Sequence, residues 1–306
     1  MSRPRTALAE RALLITGCSS GIGLHCADVL AARGYRVFAT ARRGEDVARL
    51  KRQGFEALQL DLDDSASIRA AVQEVFQRTD GQLYALFNNG AYGQPGAVED
   101  LTRNALRAQL ETNVLGWLEL TNLVIPAMRR QGYGRIIQNS SVLGFTALRL
   151  RGAYVCSKFA IEGLSDTLRQ ELKGTGIHVS LIQPGPIRSS FRANAHAAFR
   201  RHVWRDSAST HSNHRESPWV GTYRAAEARL TSTEREAPFT LGPEAVARVL
   251  IHALEARRPR TRYRVTVPTT LFAVLKWLLP TRAFDAVLGA VSRAENRSTD
   301  ANDSRS

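Results

Sequence analysis

The stretch Ala12-Leu13-Leu14-Ile15-Thr16-Gly17-Cys18-Ser19-Ser20-Gly21-Ile22-Gly23 decides how this chain folds. Its four leading apolar residues predict a buried strand, and the amphipathic run Ile22–Ala32 predicts a helix after the glycine-rich turn. Gly17 permits a tight turn, Gly21 lets the backbone approach a pyrophosphate, and Gly23 allows the helix to pack closely on the strand. The free N–H groups and the positive dipole of the helix N-terminus then suit phosphate groups.

The alternative is an ordinary strand-to-helix turn, in which glycines are common. The spacing also differs from G-x-G-x-x-G, since three residues separate Gly17 from Gly21. Three spaced glycines in the first strand–helix unit nevertheless favour a dinucleotide site.

Strand and helix patterns alternate along most of the chain. The predicted strands are Ala12–Ile15, Arg36–Ala39, Ala57–Leu60, Tyr84–Phe87, Arg135–Gln138, His178–Gln183 and Tyr263–Val267. The predicted helices are Ile22–Ala32, Asp64–Arg78, Leu101–Arg129, Ala153–Leu172, Pro243–Ala256 and Ala283–Val291. Regular alternation predicts an α/β fold, with a doubly wound parallel sheet of about seven strands and helices on both faces.

The domain boundaries follow from the same patterns. We expect an N-terminal extension over residues 1–10, one domain over residues 11–291 and a disordered tail over residues 292–306. Residues 189–238 are polar and irregular, which is typical of a substrate lid or of a disordered segment, and we interpret them as a lid. Residues 263–291 form an apolar C-terminal segment.

The most apolar part of that segment, Leu271–Leu279, is too short to span a bilayer, which takes about 20 helical residues. Packing over the substrate pocket or a subunit neighbour is the favoured interpretation. Contact with a membrane surface is the less favoured alternative.

The amino-acid composition and the net charge limit the classes of function to consider. The 306 residues are 43% hydrophobic and 23% charged, as in an ordinary globular protein, and the net charge is +14. The arginines are spread along the chain without a dense basic run, so no nucleic-acid partner is expected. A basic chain also attracts a polyanionic cofactor.

The cysteines and histidines argue against a secreted, disulfide-linked protein and against a metal-binding protein. Cys18, Cys26 and Cys156 are few and far apart, which favours a reducing, cytoplasmic location, and Met1–Arg11 lacks the apolar core of a signal peptide. The histidines of the polar segment have no carboxylate or cysteine partner at metal-ligand spacing, so no metal site is expected. These histidines are His202, His211 and His214.

A second group of residues is a candidate for proton transfer. Tyr154 and Lys158 lie four residues apart in a predicted helix, so they share one face, and a nearby cation lowers the pKa of a phenol. This spacing alone is weak, because a helix-surface pair gives it equally well. Ser141 ends the fifth strand, where strand C-termini line the ligand crevice. Asn113 interrupts a long helical stretch, where it could hold a water or simply distort the helix.

The end of the second strand bears on the choice of cofactor. It reads Phe38-Ala39-Thr40-Ala41-Arg42-Arg43 and carries no carboxylate for the ribose 2′-hydroxyl of NAD. An arginine there suits the 2′-phosphate of NADP, although Arg42 and Arg43 could also merely face solvent. NADP is therefore the favoured cofactor.

Together these motifs resemble the short-chain dehydrogenase/reductase family. Thr16–Gly23 matches its T-G-x-x-x-G-x-G turn, Asn88-Asn89-Gly90-Ala91 resembles its N-N-A-G segment, and Pro184-Gly185 matches the turn after its sixth strand. The family's catalytic tetrad is matched in order and spacing by Asn113, Ser141, Tyr154 and Lys158. One departure is the order Gly90-Ala91, which moves the unrestricted backbone position one residue earlier.

The resemblance implies a single-domain Rossmann fold and a role for each member of the tetrad. Tyr154 would be the general acid in reduction and the base in oxidation, and Ser141 would polarise the carbonyl. Lys158 would contact the nicotinamide ribose and lower the tyrosine pKa, and Asn113 would position the water of a proton relay.

The resemblance also implies the cofactor contacts. Ser20 and Arg42 match positions that hold the 2′-phosphate, Asp61 and Asn88 match positions near the adenine, and Ile187 matches one that meets the carboxamide. The full implied set is Gly17, Ser19, Ser20, Gly21, Ile22, Gly23, Arg42, Asp61, Leu62, Asn88, Gly90, Tyr154, Lys158, Pro184, Gly185 and Ile187.

Within the family, the segments Gly17–Leu24 and Gly185–Arg188 look like the branch of 17β-hydroxysteroid and retinol dehydrogenases. Phe239–Glu244 and Lys276–Pro280 look closer to bacterial NADP-dependent aldehyde reductases of that branch. The expected activity is reduction of an apolar aldehyde or ketone, or the reverse, by a homodimer or homotetramer. The alternative is a dinucleotide-binding sensor or scaffold with little turnover.

Overall fold

The structure, a computed structural model, describes residues 11–203, 217–231 and 238–303, without the side chains of Arg229 and residues 294–303. Seven strands form one sheet in the order β3-β2-β1-β4-β5-β6-β7, with every neighbouring pair parallel. They are β1 (Ala12–Ile15), β2 (Arg36–Ala41), β3 (Glu56–Gln59), β4 (Ala85–Asn88), β5 (Gly134–Asn139), β6 (Ile177–Gln183) and β7 (Arg262–Arg264). The predicted parallel sheet is confirmed, and its strand order reverses between β1 and β4, where such folds bind ligands.

The helices alternate with these strands. They are α1 (Gly21–Ala32), α2 (Gly44–Arg52), α3 (Ser65–Arg78), α4 (Arg103–Leu110), α5 (Gly116–Gln131), α6 (Gly152–Glu171), α7 (Phe191–His202), α8 (Val220–Thr231), α9 (Glu244–Glu255), α10 (Val267–Leu278) and α11 (Thr281–Asp303).

Strand β1 shows how the sheet acquires two apolar faces. Successive strand residues point to opposite sides, so Leu14 joins the core formed with α3, α5 and α6, whereas Leu13 and Ile15 join the core formed with α1, α2 and α9. All three side chains are almost completely buried. This is why the run is continuously apolar instead of alternating.

Two helical regions differ from the sequence prediction. Helix α2 was not predicted, because only Val47 and Leu50 of its nine residues are buried and the rest of the segment is polar. The stretch Leu101–Arg129 is two α-helices joined by a π-helical turn, Glu111–Leu115, which contains Asn113. Asn113 therefore lies where the regular α-helix is interrupted, as the sequence predicted.

The segment expected to be irregular contains α7 and α8. Ala195, Ala198 and Phe199 give α7 an apolar side, and Phe199 meets Tyr223 of α8 edge-on at 5.4 Å between ring centroids. The prediction of an irregular lid is therefore wrong for these helices, because small apolar residues at helical spacing supply the packing. Residues 204–216 and 232–237 lie outside the described part of the chain.

The C-terminal segment also differs in detail. Strand β7 ends at Arg264 and Val267 already belongs to α10, because Pro268 lies at the start of that helix, where proline is well tolerated. Helix α11 runs on to Asp303, so the predicted tail is wrong as far as that residue: no glycine or proline stops the helix after Val291. Within the described ranges, no helix combines the length and apolarity needed to cross a bilayer.

Candidate active site

The turn between β1 and α1 is built around close backbone contacts. Gly17 has φ +72°, and a Cβ added to it would lie 2.6 Å from Cα of Gly90, which no side chain tolerates. A Cβ on Gly23 would lie 2.2 Å from the carbonyl oxygen of Gly17. The first turn of α1 therefore sits directly on the loop, with the N-terminal N–H groups of the helix at its mouth.

This turn is tied to the loop after β4. The Thr16 hydroxyl oxygen accepts hydrogen bonds from the backbone N–H groups of Asn89 and Gly90, both at 2.8 Å. The Gly90 carbonyl in turn accepts 2.8 Å from the indole N–H of Trp117. The glycine of the unusual Gly90-Ala91 order keeps an ordinary negative φ, so close packing against Gly17, not a left-handed backbone, accounts for it.

The predicted residues at the adenosine side occupy strand ends but differ in where their side chains point. Arg42 follows β2 and is exposed, and its carbonyl accepts 3.0 Å from Gln59. Asp61 follows β3, and its carboxylate accepts 3.2 Å from the N–H of Asp63. Asn88 is completely buried and donates to Thr121 and to Gln138 of β5, so its side chain faces the core.

One contact in this region escaped the sequence analysis. Arg49 of α2 donates 2.6 Å to the carbonyl oxygen of Ser19 and lies 2.7 Å from Asp46. The guanidinium therefore fixes the turn beside Ser20, the N-cap of α1, whose side chain makes no capping bond with that helix. A prediction of α2 could have revealed this contact, because Arg49 lies on that helix within reach of the turn.

The remaining predicted cofactor residues lie in the loops that follow the strands and at the start of α1. Ile22 packs at the start of α1, and Leu62 is buried where the first residue of α5, Gly116, packs directly on its backbone. The carbonyl of Pro184 accepts 2.7 Å from Val142 N–H, which joins the end of β6 to the turn after β5. In the same loop, Ile187 forms a single bridge with Leu241.

Ser141 and Tyr154 meet at the centre of the crevice, each only 9% exposed. Ser141 lies just beyond β5, and its hydroxyl oxygen accepts 3.1 Å from Leu143 N–H. Burial raises the pKa of Tyr154 to about 12, while its hydrogen bond with Ser141 and the charge of Arg151 act in the opposite direction. The phenol is therefore protonated at neutral pH, ready to donate.

Lys158 lies one turn further along α6 and is 1% exposed. Its ammonium donates 2.8 Å to the carbonyl of Asn139 and lies 4.3 Å from the centroid of the Trp117 ring and 5.6 Å from that of Tyr154. Burial lowers the pKa of Lys158 to about 7, against the raising effect of the Glu162 carboxylate. Its charge is consequently sensitive to small changes in its surroundings.

A hydrogen-bonded chain joins this lysine to the glycine-rich turn. Asn139, whose carbonyl holds Lys158, donates 2.8 Å from its side chain to Asn89. Asn89 donates 2.9 Å to the carbonyl of Thr16. Three strand ends are thereby locked together around the crevice.

Asn113 is completely buried in the π-helical turn. Its amide nitrogen donates to the carbonyl of Tyr92 at 2.9 Å and to the hydroxyl of Ser157 at 3.1 Å, and its oxygen accepts 3.2 Å from Tyr92 N–H. The side chain thus joins α6 to the loop after β4, beside the other members of the tetrad.

The segment after β6 closes over both halves of the crevice. Phe191 meets Tyr154 edge-on at 5.3 Å between ring centroids. Two residues earlier, the Ser189 side chain lies 2.9 Å from where a Cβ of Gly21 would be. Sequence reasoning missed Phe191, since nothing in its local pattern sets it apart.

Over the described ranges, no group of three or more His, Cys, Asp or Glu side chains is close enough to hold a metal ion. His211 and His214 lie outside those ranges.

Comparison with known proteins places this geometry in a family. The short chain dehydrogenase model matches residues 11–199. The uncharacterized oxidoreductase YbbO of Escherichia coli K12 is 40% identical over 280 residues, which cover 91% of this chain and 94% of YbbO. Human 17-beta-hydroxysteroid dehydrogenase type 1 is 35% identical over 271 residues, covering 85% of this chain and 78% of that protein.

Comparison with solved structures gives the same family. A short-chain dehydrogenase from Streptomyces avermitilis aligns with a TM-score of 0.71 at 28% identity, covering 95% of this chain and 99% of that one. The predicted family is confirmed: this chain belongs to the short-chain dehydrogenase family and is an oxidoreductase.

Proposed function

We propose that the chain reduces an apolar aldehyde or ketone to the alcohol with NADPH, using Tyr154 as the proton donor. The observation that carries the proposal is the convergence of Ser141, Tyr154 and Lys158 at one buried point, beside a turn built for phosphates. The bound dinucleotide would supply the hydride. The residues of the chain supply the rest of the chemistry.

The crevice fits a dinucleotide. The close contacts at Gly17 and Gly23 leave backbone N–H groups to meet a pyrophosphate, and Arg42 is exposed at the end of β2, with no carboxylate on that strand end to bind a ribose 2′-hydroxyl. Ser20 and Arg42 would hold the 2′-phosphate, which supports NADP over NAD.

The proton chemistry follows from the pKa directions. A substrate carbonyl oxygen beside Ser141 and Tyr154 would accept hydrogen bonds from both hydroxyl groups, and the protonated phenol would transfer its proton as negative charge develops on that oxygen. Lys158, when charged, stabilises the phenolate that remains. Asn113 would order the water that returns a proton to Lys158 and Tyr154.

Two observations support an apolar substrate. Phe191 packs against Tyr154, and Leu143 follows Ser141, so the reacting point has apolar neighbours. A relative at 35% identity is named for its action on a hydroxysteroid, an apolar compound. Free cysteines in the described chain suit a cytoplasmic enzyme.

We also propose a homodimer or homotetramer that pairs through α5 and α6. Leu115, just before α5, and Leu118 on α5 are 37–47% exposed, as are Phe159 and Leu164 on α6. Apolar exposure on two adjacent helices is typical of a subunit interface. Light scattering coupled to size exclusion should therefore report at least twice the 33.8 kDa of one chain, and a monomer would contradict this proposal.

The test of the reaction is NADPH consumption with a panel of apolar aldehydes and ketones. Tyr154→Phe should abolish turnover, because the proton donor is gone, while NADPH fluorescence titration shows unchanged affinity. Normal turnover by this variant would refute the mechanism. NADPH binding without turnover on any carbonyl, by the unaltered protein, would favour a dinucleotide-binding sensor instead.

A further inference from the structure

Helix α10 presents an apolar face to solvent. Val267, Leu271, Val274 and Leu278 recur at a spacing of three or four residues, so they form one stripe, and they are 44–65% exposed. Trp277, beside the stripe, is 83% exposed. The opposite side of the helix, with Thr269, is the one that packs on the domain.

Basic side chains flank this stripe. Arg264 precedes α10 and Arg282 follows it, and both are exposed. The exposed acid near these ends is Asp285, and the whole chain carries a net charge of +14. An apolar stripe with an interfacial tryptophan and cationic flanks is the pattern of a helix that lies in the surface of an anionic membrane.

The inner contacts of α10 connect this face with the crevice. A Cβ on Gly185 would lie 2.1 Å from the Thr266 hydroxyl and 3.0 Å from that of Thr269. At the other end, Lys276 donates 2.5 Å to the carbonyl of Phe145, in the turn after Ser141, and lies over the Phe159 ring at 5.3 Å. The helix is therefore held against two loops that border the active site.

A second copy of the chain fits this face less well. Five partly exposed side chains on one 12-residue helix supply less than the roughly 800 Å² per partner that a standard protein interface buries. An acyl-chain surface has no such requirement, because each apolar side chain inserts independently.

We propose that the outer face of α10 docks the protein on anionic phospholipid bilayers, with Leu271 and Trp277 inserted among the acyl chains. The helix lies in the plane of the surface, and the rim of the active site then faces the lipid. This proposal does not rest on the proposed reaction, since binding is measured without turnover.

The test is flotation of the full chain with vesicles of phosphatidylcholine alone and of phosphatidylcholine mixed with phosphatidylglycerol. We expect the protein to float with the anionic vesicles only. Leu271→Ser/Trp277→Ser should weaken the partition coefficient about 100-fold, since each of the two lost apolar insertions is worth roughly one power of ten. Val98→Ser, at a 72% exposed apolar residue elsewhere, is the matched control and should float normally.

Further measurements separate the outcomes. Tryptophan emission should shift to shorter wavelength on anionic vesicles in the unaltered protein but not in the double variant, which lacks Trp277, and raised salt should reduce binding. Recovery of the unaltered protein in the soluble fraction with both vesicle types overturns the proposal, as does normal flotation of the double variant. A double variant that loses oligomer mass when the unaltered protein does not float would assign the face to a second copy, which also overturns it.

Discussion

The substitution Glu162→Gln should move the pH at which the enzyme loses activity. Glu162 is 7% exposed, lies one turn after Lys158 on α6 and pairs with Arg262 at 2.9 Å. Its negative charge raises the pKa of Lys158, which burial has brought down to about 7. Glutamine keeps the shape and can still accept the 2.9 Å hydrogen bond from Gln183, so the main change is one buried charge.

The magnitude follows from Coulomb's law. Residues one turn apart have Cβ atoms about 6 Å apart, and diverging side chains place the two charges roughly 9 Å apart. With an effective dielectric constant of about 20, the attraction is ~1.8 kcal/mol. At about 1.36 kcal/mol per pKa unit, and with some screening, removing the carboxylate should lower the pKa of Lys158 by about one unit.

The assay is the pH profile of kcat/KM for carbonyl reduction. In the proposed mechanism Lys158 acts only when charged, so activity should disappear as the pH rises through its pKa, and the basic limb of the Glu162→Gln profile should lie about one unit lower. Asp166→Asn is the matched control, because Asp166 also binds Arg262, at 2.6 Å, but is two turns from Lys158. An unmoved limb in Glu162→Gln, or an equal shift in Asp166→Asn, would refute the reasoning.

Two further substitutions test the crevice. Arg42→Ala should weaken NADPH binding about 10- to 100-fold, the value of a charge-assisted hydrogen bond, and leave NADH binding unchanged; fluorescence titration measures both, and an unaltered ratio would remove Arg42 from the 2′-phosphate site. Gly23→Ala should abolish dinucleotide binding and lower the free energy of unfolding by about 1–3 kcal/mol, because its Cβ would lie 2.2 Å from the Gly17 carbonyl. Gly163→Ala on α6, where a Cβ meets nothing within 4 Å, is the control in chemical denaturation and should not be destabilised.

Local sequence patterns predicted the parts of the fold that local forces determine. The run Ala12–Ile15 is buried on both faces of the sheet, so its continuous apolarity was readable, and Gly17 marks a turn that only glycine allows. Helices with few buried residues were harder: α2 buries only Val47 and Leu50, too few to stand out against a polar background.

The candidate site likewise contains residues that local spacing predicts and residues that it does not. Tyr154 and Lys158 were found because four residues on a helix fix their relation. The partners that tune Lys158 come from distant positions: Trp117 approaches from another helix, and Arg262, which holds Glu162, lies 100 residues away from it. Such contacts depend on sheet order and helix placement, which periodicity does not encode. Phe191 is a similar case, since only the path of the chain after β6 brings it to Tyr154.

That path has a consequence for the timing of catalysis. Ser189 lies against Gly21 of the glycine-rich turn and Phe191 against Tyr154, with a single residue between them. A movement that frees one contact should therefore disturb the other, so under the proposed function we expect entry of the dinucleotide and access to Tyr154 to depend on the same few backbone torsions. We therefore expect the order in which cofactor and substrate bind and leave to depend on residues 189–191.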